Sequence, residues 1–127
     1  MKSGTRIKLV QKIYEKTNNS DGQIDFGKDP YLRHIKKVFN GYFEFESDLD
    51  QILQNNLSPE LSVKNLDMLL KIILKASIFE LKYCNKIPFK VVIDQYLDVT
   101  NAFYSNDQKR LVNGVLDSVA KKLSLSI

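Results

Sequence analysis

The chain has 127 residues, 43% of them apolar and 27% charged, with one cysteine and no tryptophan. That size and balance suit one compact globular domain and argue against a disordered chain or a disulfide scaffold. No apolar run approaches the ~18 residues of a spanning helix, and no signal-peptide pattern follows the basic start, so a cytoplasmic protein with a reduced thiol and no membrane partner is expected. The net charge of +4 is unevenly spread. Residues 1–16 carry +4, residues 17–60 carry −4, and residues 61–127 carry +4. Two basic segments flanking an acidic one form a nucleic-acid surface only if the fold brings them together; otherwise they are solvated faces.

Helical periodicity dominates the pattern. Ile7, Val10 and Tyr14 fall on one stripe, widened by Leu9 and Ile13, while Lys8, Lys12 and Lys16 form a second, basic stripe. This predicts a first helix capped by Ser3 or Thr5 and ending near Thr17. Residues 17–27 are dense in turn formers and read as a mobile loop. Asp29 then caps a second helix with Pro30 in its first position and Leu32, Ile35, Phe39 and Tyr42 or Phe43 inward. A third helix is expected over about 47–56, with Ser47 as its cap. Ser58-Pro59 marks a break. The longest helix is expected from Val63 to about Tyr83, so apolar that it must be central. Pro88 opens the next helix, with Val91, Val92, Leu97, Val99 and Phe103 on its face. After a turn at 104–107, the last helix carries Leu111, Val115, Val119 and Leu123. The expected class is all-α, with six or seven helices.

Chemistry-bearing constellations are absent from the pattern. One histidine, His34, and one cysteine, Cys84, do not make a zinc site of ordinary composition, and His34 reads as a surface residue. No glycine-rich phosphate loop is present. The acidic run Glu44, Glu46, Asp48 and Asp50 spreads around a helix and reads as a solvated face. No enzyme, metal or cofactor is implied. Two residues stand out. Glu80 lies in a very apolar helix and needs hydrogen-bond partners, expected from the start of another helix. Gly114 interrupts the last helix at a cost of ~1 kcal/mol relative to alanine, which suggests close helix packing there, with Asn113 bonding a neighbouring backbone or shaping the preceding turn.

Three segments carry a family resemblance. Residues 73–81, Ile-Leu-Lys-Ala-Ser-Ile-Phe-Glu-Leu, resemble the "hydrophobic-Leu-Arg-x-x-x-Tyr-Glu-Leu" pattern of the NusB transcription antitermination family. Residues 87–94, Ile-Pro-Phe-Lys-Val-Val-Ile-Asp, are similar to its "Val-Pro-x-x-Val-x-Ile-Asn-Glu" helix start. Residues 110–117, Arg-Leu-Val-Asn-Gly-Val-Leu-Asp, are similar to its "Lys-Phe-Val-Asn-Gly-Val-Leu-Asp" signature. They occur in the family's order and spacing. Val10-Gln11-Lys12-Ile13-Tyr14 and the Phe39–Gly41 region are weaker matches.

The resemblance implies two packed three-helix bundles within one domain over 1–127, with subdomains at about 1–58 and 59–127. It implies a cytoplasmic factor that binds boxA, a short single-stranded RNA element of nascent ribosomal RNA transcripts, together with NusE, a small-subunit ribosomal protein. The complex would join RNA polymerase and suppress termination; some family members are homodimers when free. Single-stranded RNA needs cations along its phosphates and flat groups against its bases. By the resemblance, Lys2 and Arg6 match basic positions of the family's N-terminus, with Lys8 and Lys12 as partial substitutes. Tyr14 matches a tyrosine near the RNA path, although its spacing from Ile7 equally suits a core residue. Asp107, Lys109 and Arg110 fall in a second RNA-contact region, where Leu111 stands at a position that often holds phenylalanine. The thin supply of arginine leaves an alternative of another class: a helical protein-interaction adaptor or homodimer with little intrinsic RNA binding.

Overall fold

The computed structural model describes residues 3–84 and 86–125. Among them the only regular structure is helical. Six α-helices are formed: α1 (Ser3–Asn18), α2 (Leu32–Glu44), α3 (Glu46–Asn55), α4 (Met68–Tyr83), α5 (Phe89–Phe103) and α6 (Asn106–Leu125), with a 3-10 turn at Val63–Asn65. Helix α4 is the axis. Every residue from Ile72 to Leu81 is buried, and α4 packs against each of the other five helices. No helix can turn ten consecutive residues away from water unless it is surrounded, and α1 packs against both α2 and α5 around it. The buried apolar residues form one continuous core.

Several boundaries differ from the sequence expectation for local reasons. The long helix does not start at Val63. Leu66 and Asp67 are extended, with ψ of 146° and 138°, and α4 begins at Met68. Gln54 of α3 fixes this crossing: its Oε1 accepts from the Val63 N–H at 3.0 Å and its Nε2 donates to the Leu61 carbonyl at 3.1 Å. Ser47 is not a cap. Helices α2 and α3 follow each other almost directly through Phe45, whose ring stacks on Tyr83 at 4.7 Å. Pro30 lies in the turn before α2, and Asp29 accepts from the Tyr31 N–H at 2.8 Å. The last helix begins at Asn106, so Asp107 belongs to its first turn.

The stretch between α1 and α2 has no regular structure, but it is fastened rather than loose. Lys16 Nζ donates to the carbonyls of Ser20 and Gly22, and Phe26 packs edge-on against Phe39 at 5.0 Å. Gly27, at φ 64°, takes a left-handed conformation, and its N–H is held by Asp25.

The close packing expected at Gly114 is found at another helical glycine. Gly114 is exposed, with open space where a side chain would go, so no helix packs closely there. Close approach occurs instead at Gly41 of α2, which lies against the Phe79 ring of α4 so tightly that a β-carbon would overlap it. Gly41→Ala is therefore expected to destabilise by about 1–3 kcal/mol through overpacking, whereas Gly114→Ala stabilises by roughly 0.5–1 kcal/mol. Thermal melts of the two variants should shift in opposite directions.

Candidate nucleic-acid interface

The site is organised by a buried ionic cluster. Glu80 of α4 is fully buried, and its carboxylate is shared by three other helices. Arg6 of α1 holds it with two bonds, Nε to Oε2 at 3.0 Å and Nη2 to Oε1 at 2.7 Å. His34 of α2 donates from Nε2 to Oε1 at 2.9 Å. Tyr96 of α5 donates its hydroxyl to Oε2, and its ring centre lies 5.5 Å from the Arg6 guanidinium carbon. Burial pushes the Glu80 carboxyl up, but the bonds from His34, Arg6 and Tyr96 outweigh it and hold the group below its ordinary value. The partner for Glu80 thus comes from near the start of another helix, as expected, but as a side chain.

This arrangement corrects the role of Arg6. At 1% exposure it is an interior residue bonded to Glu80, not a surface cation for phosphates. His34 is likewise no free surface histidine, since its ring reaches the same carboxylate. Lys2 lies outside the described residues. The basic stripe of α1 is present but occupied. Lys8 faces Asp29 at 3.7 Å, Lys12 faces Glu15 at 3.4 Å, and Lys16 closes the following loop. The acidic run of α3 is also not simply solvated. Lys75, 3% exposed, bridges Glu46 at 3.0 Å and Asp50 at 2.9 Å, and Lys82 and Tyr83 both donate to Asp48.

With Arg6 turned inward, α1 presents Gln11 and Tyr14 on one flank. Tyr14 is 42% exposed, which decides between its two readings in favour of a surface ring. It lines a groove of about 420 Å³ with Gln11, Asp67, Met68, Leu69, Phe103 and Tyr104. Phe103, 37% exposed, was expected on the inner face of α5; the inner face is instead Val92, Ile93, Tyr96 and Val99. Tyr104 donates its hydroxyl to Asp67, and burial together with that bond raises its pKa above the usual value. Two residues beyond Tyr104, α6 begins. Its first turns carry Asp107, Lys109 and Arg110, and the Asp107–Arg110 pair, 3.9 Å apart, is fully in water. Lys109 and Arg110 also line a small groove with Leu97, Asn106 and Asn113. An exposed tyrosine and phenylalanine beside cations on an adjoining helix turn is the composition that single-stranded nucleic acid requires.

Sequence periodicity missed Phe103 and Met68 as surface groups, and placed Tyr104 only in a turn. The one available signal was the place of Phe103 at the very end of its helix, where an apolar stripe can run out past its neighbours.

The comparisons with known proteins agree with this architecture. The model of the NusB family matches residues 5–121. The chain belongs to the NusB family. It is 40% identical to a transcription antitermination protein NusB of Bartonella tribocorum, covering 98% of this chain and 90% of that protein. It is 35% identical to the NusB of Rickettsia massiliae, covering 95% and 92%. Among solved structures, T. maritima NusB superposes with a TM-score of 0.83 over 96% of this chain and 94% of that one, at 21% identity, which establishes the shared fold.

Among the described residues no group of three His, Cys, Asp or Glu side chains is placed to hold a metal ion. No helix of the described residues is long and apolar enough to cross a membrane. Burial, followed by the nearby Glu80 charge, pushes the Cys84 thiol up, away from the thiolate that a nucleophile needs.

Breaking the cluster should be costly. Arg6→Ala leaves Glu80 buried without its cation and is expected to destabilise by about 3–5 kcal/mol in urea titrations at neutral pH. Because the folded-state pKa of Glu80 is depressed, its contribution is complete above the ordinary value of 4.5 and is lost as pH falls through the folded value. Glu80→Gln should therefore start less stable at pH 7 and lose less stability than the parent below pH 4.5.

Proposed function

We propose that this protein is a cytoplasmic transcription antitermination factor, a binding protein and not an enzyme. In this reading it recognises a boxA-type single-stranded RNA together with NusE, and the complex joins RNA polymerase to suppress termination on ribosomal RNA transcripts. One observation carries the reading. The exposed Tyr14 and Phe103 rings line a groove at the C-terminal end of α5, directly before the α6 turns that hold Asp107, Lys109 and Arg110. Bases stack on the rings and phosphates run past the cations, each stack contributing about 1–3 kcal/mol. Leu111 is half-buried where the family often has a ring, so this chain offers one flat group fewer on α6. Membership of the NusB family and the names of its relatives support the assignment.

A second reading draws on the occupied cations of α1. With Arg6 buried and Lys8 and Lys12 paired, the N-terminal helix offers phosphates little free charge. This favours a helical protein-interaction adaptor or homodimer with little intrinsic RNA binding.

Fluorescence anisotropy of a labelled boxA RNA, with and without NusE and against a scrambled RNA, separates the two. The RNA-binding reading expects specific binding that NusE tightens. Lys109→Ala with Arg110→Ala should lower the log–log salt slope by about 1.4, and Tyr14→Ala should weaken binding by about 1–3 kcal/mol. Equal affinity for both RNAs, even with NusE, would leave the adaptor reading.

A further inference from the structure

The α1 cations that the RNA reading first points to are occupied, but an unoccupied set lies on α2. Residues 28–37 hold Lys28, Arg33, Lys36 and Lys37 against a single carboxylate, Asp29, which already faces Lys8. The core side of α2 is Ile35, Val38, Phe39 and Tyr42, so Arg33, Lys36 and Lys37 stand on the outer side, and all three are exposed. Arg33 and Lys37 are one helical turn apart and have no acidic partner among the described residues. Lys36 Nζ sits 5.7 Å from the centre of the Phe26 ring, which itself is braced on Phe39. At the N-terminal end of the same helix, Tyr31 leaves 43% of its surface in water, with its N–H fixed by Asp29. None of these groups belongs to the buried side of α2, and like charges one turn apart weaken a helix slightly.

We infer that the outer face of α2, with Arg33, Lys36 and Lys37 and with Tyr31 at its end, is a second RNA contact that grips the phosphates of nucleotides flanking the recognised element without reading their sequence. The inference rests on the RNA-binding reading and extends it. The Tyr14 groove opens on the flank of α1 that meets α4 and α5, whereas Lys8 reaches the segment before α2 from the opposite flank. The two contacts are therefore separated by α1, and only an RNA longer than the minimal element engages both. Arginine and lysine on one helix face with an exposed tyrosine at its end provide phosphate contacts and one stacking surface, the pairing that sequence-tolerant single-strand binders use.

The test uses two labelled RNAs, a minimal boxA element and the same element extended by about ten nucleotides of unrelated sequence on each side. The protein–NusE complex is titrated with each. The extended RNA is expected to bind more tightly. Arg33→Ala with Lys37→Ala should leave the minimal RNA unaffected, weaken the extended RNA at least fivefold, and reduce its salt slope by about 1.4. Tyr31→Ala should weaken the extended RNA by about fivefold or more. All of these side chains are exposed, so thermal melts of the variants should match the parent and show that folding is intact. Equal affinity for the two RNAs overturns the inference while leaving the RNA-binding reading in place. Loss of NusE binding in the α2 variants, measured without RNA, also overturns it and assigns the face to an acidic protein surface. Failure of the parent to bind either RNA removes both readings.

Discussion

One buried carboxylate organises the molecule. Glu80 lies fully buried near the C-terminal end of the most apolar helix, where an unpaired charge would cost many kcal/mol. It is tolerated because Arg6, His34 and Tyr96 reach it from three different helices. A bidentate guanidinium–carboxylate contact tolerates little rotation of either helix. Once Arg6 is committed inward, the rest of α1 is committed as well. At about 100° per residue, Tyr14 and Gln11 turn to one flank and Lys8, Lys12 and Lys16 to the other. The first flank meets Met68, Phe103 and Tyr104, and the second meets the segment leading to α2.

The same logic explains why part of this basic protein's charge is used inside the fold. Lys75 is held by Glu46 and Asp50 over the Tyr42 ring, and Lys82 by Asp48. Three carboxylates of the acidic middle, Glu46, Asp48 and Asp50, are therefore counter-charge to α4 lysines, and two of them let Lys75 enter a packed interior. The cations at the start of α6 and along the outside of α2 are, by contrast, not drawn into the interior. Net charge was thus a poor guide to the interface, because it counted cations already used in folding together with those left over.

Two glycines show how packing overrides pattern. Both sit within helices, and a sequence reading has no means of telling a glycine demanded by a neighbour from one that faces water. Phe79 sets the demand at Gly41, and it lies 38 positions away in the chain. At Gly114 no neighbour approaches, so the packing does not explain a glycine there.

The sequence by itself determined the helical class, the order of the helices, the centrality of the long apolar helix that ends near Tyr83, and the need of Glu80 for partners. Each of these follows from local spacing or from the cost of burying a charge, and both can be read along one strand of text. The family motifs at 73–81, 87–94 and 110–117 were legible for the same reason, since they are contiguous. Tertiary structure alone decided which cations are interior. Arg6 is basic and near the start of the chain, exactly as a phosphate contact would be, but its partner is 74 positions distant. It also decided that Phe103 and Tyr104 join Tyr14, because a groove between three helices is a property of their packing and not of any one of them.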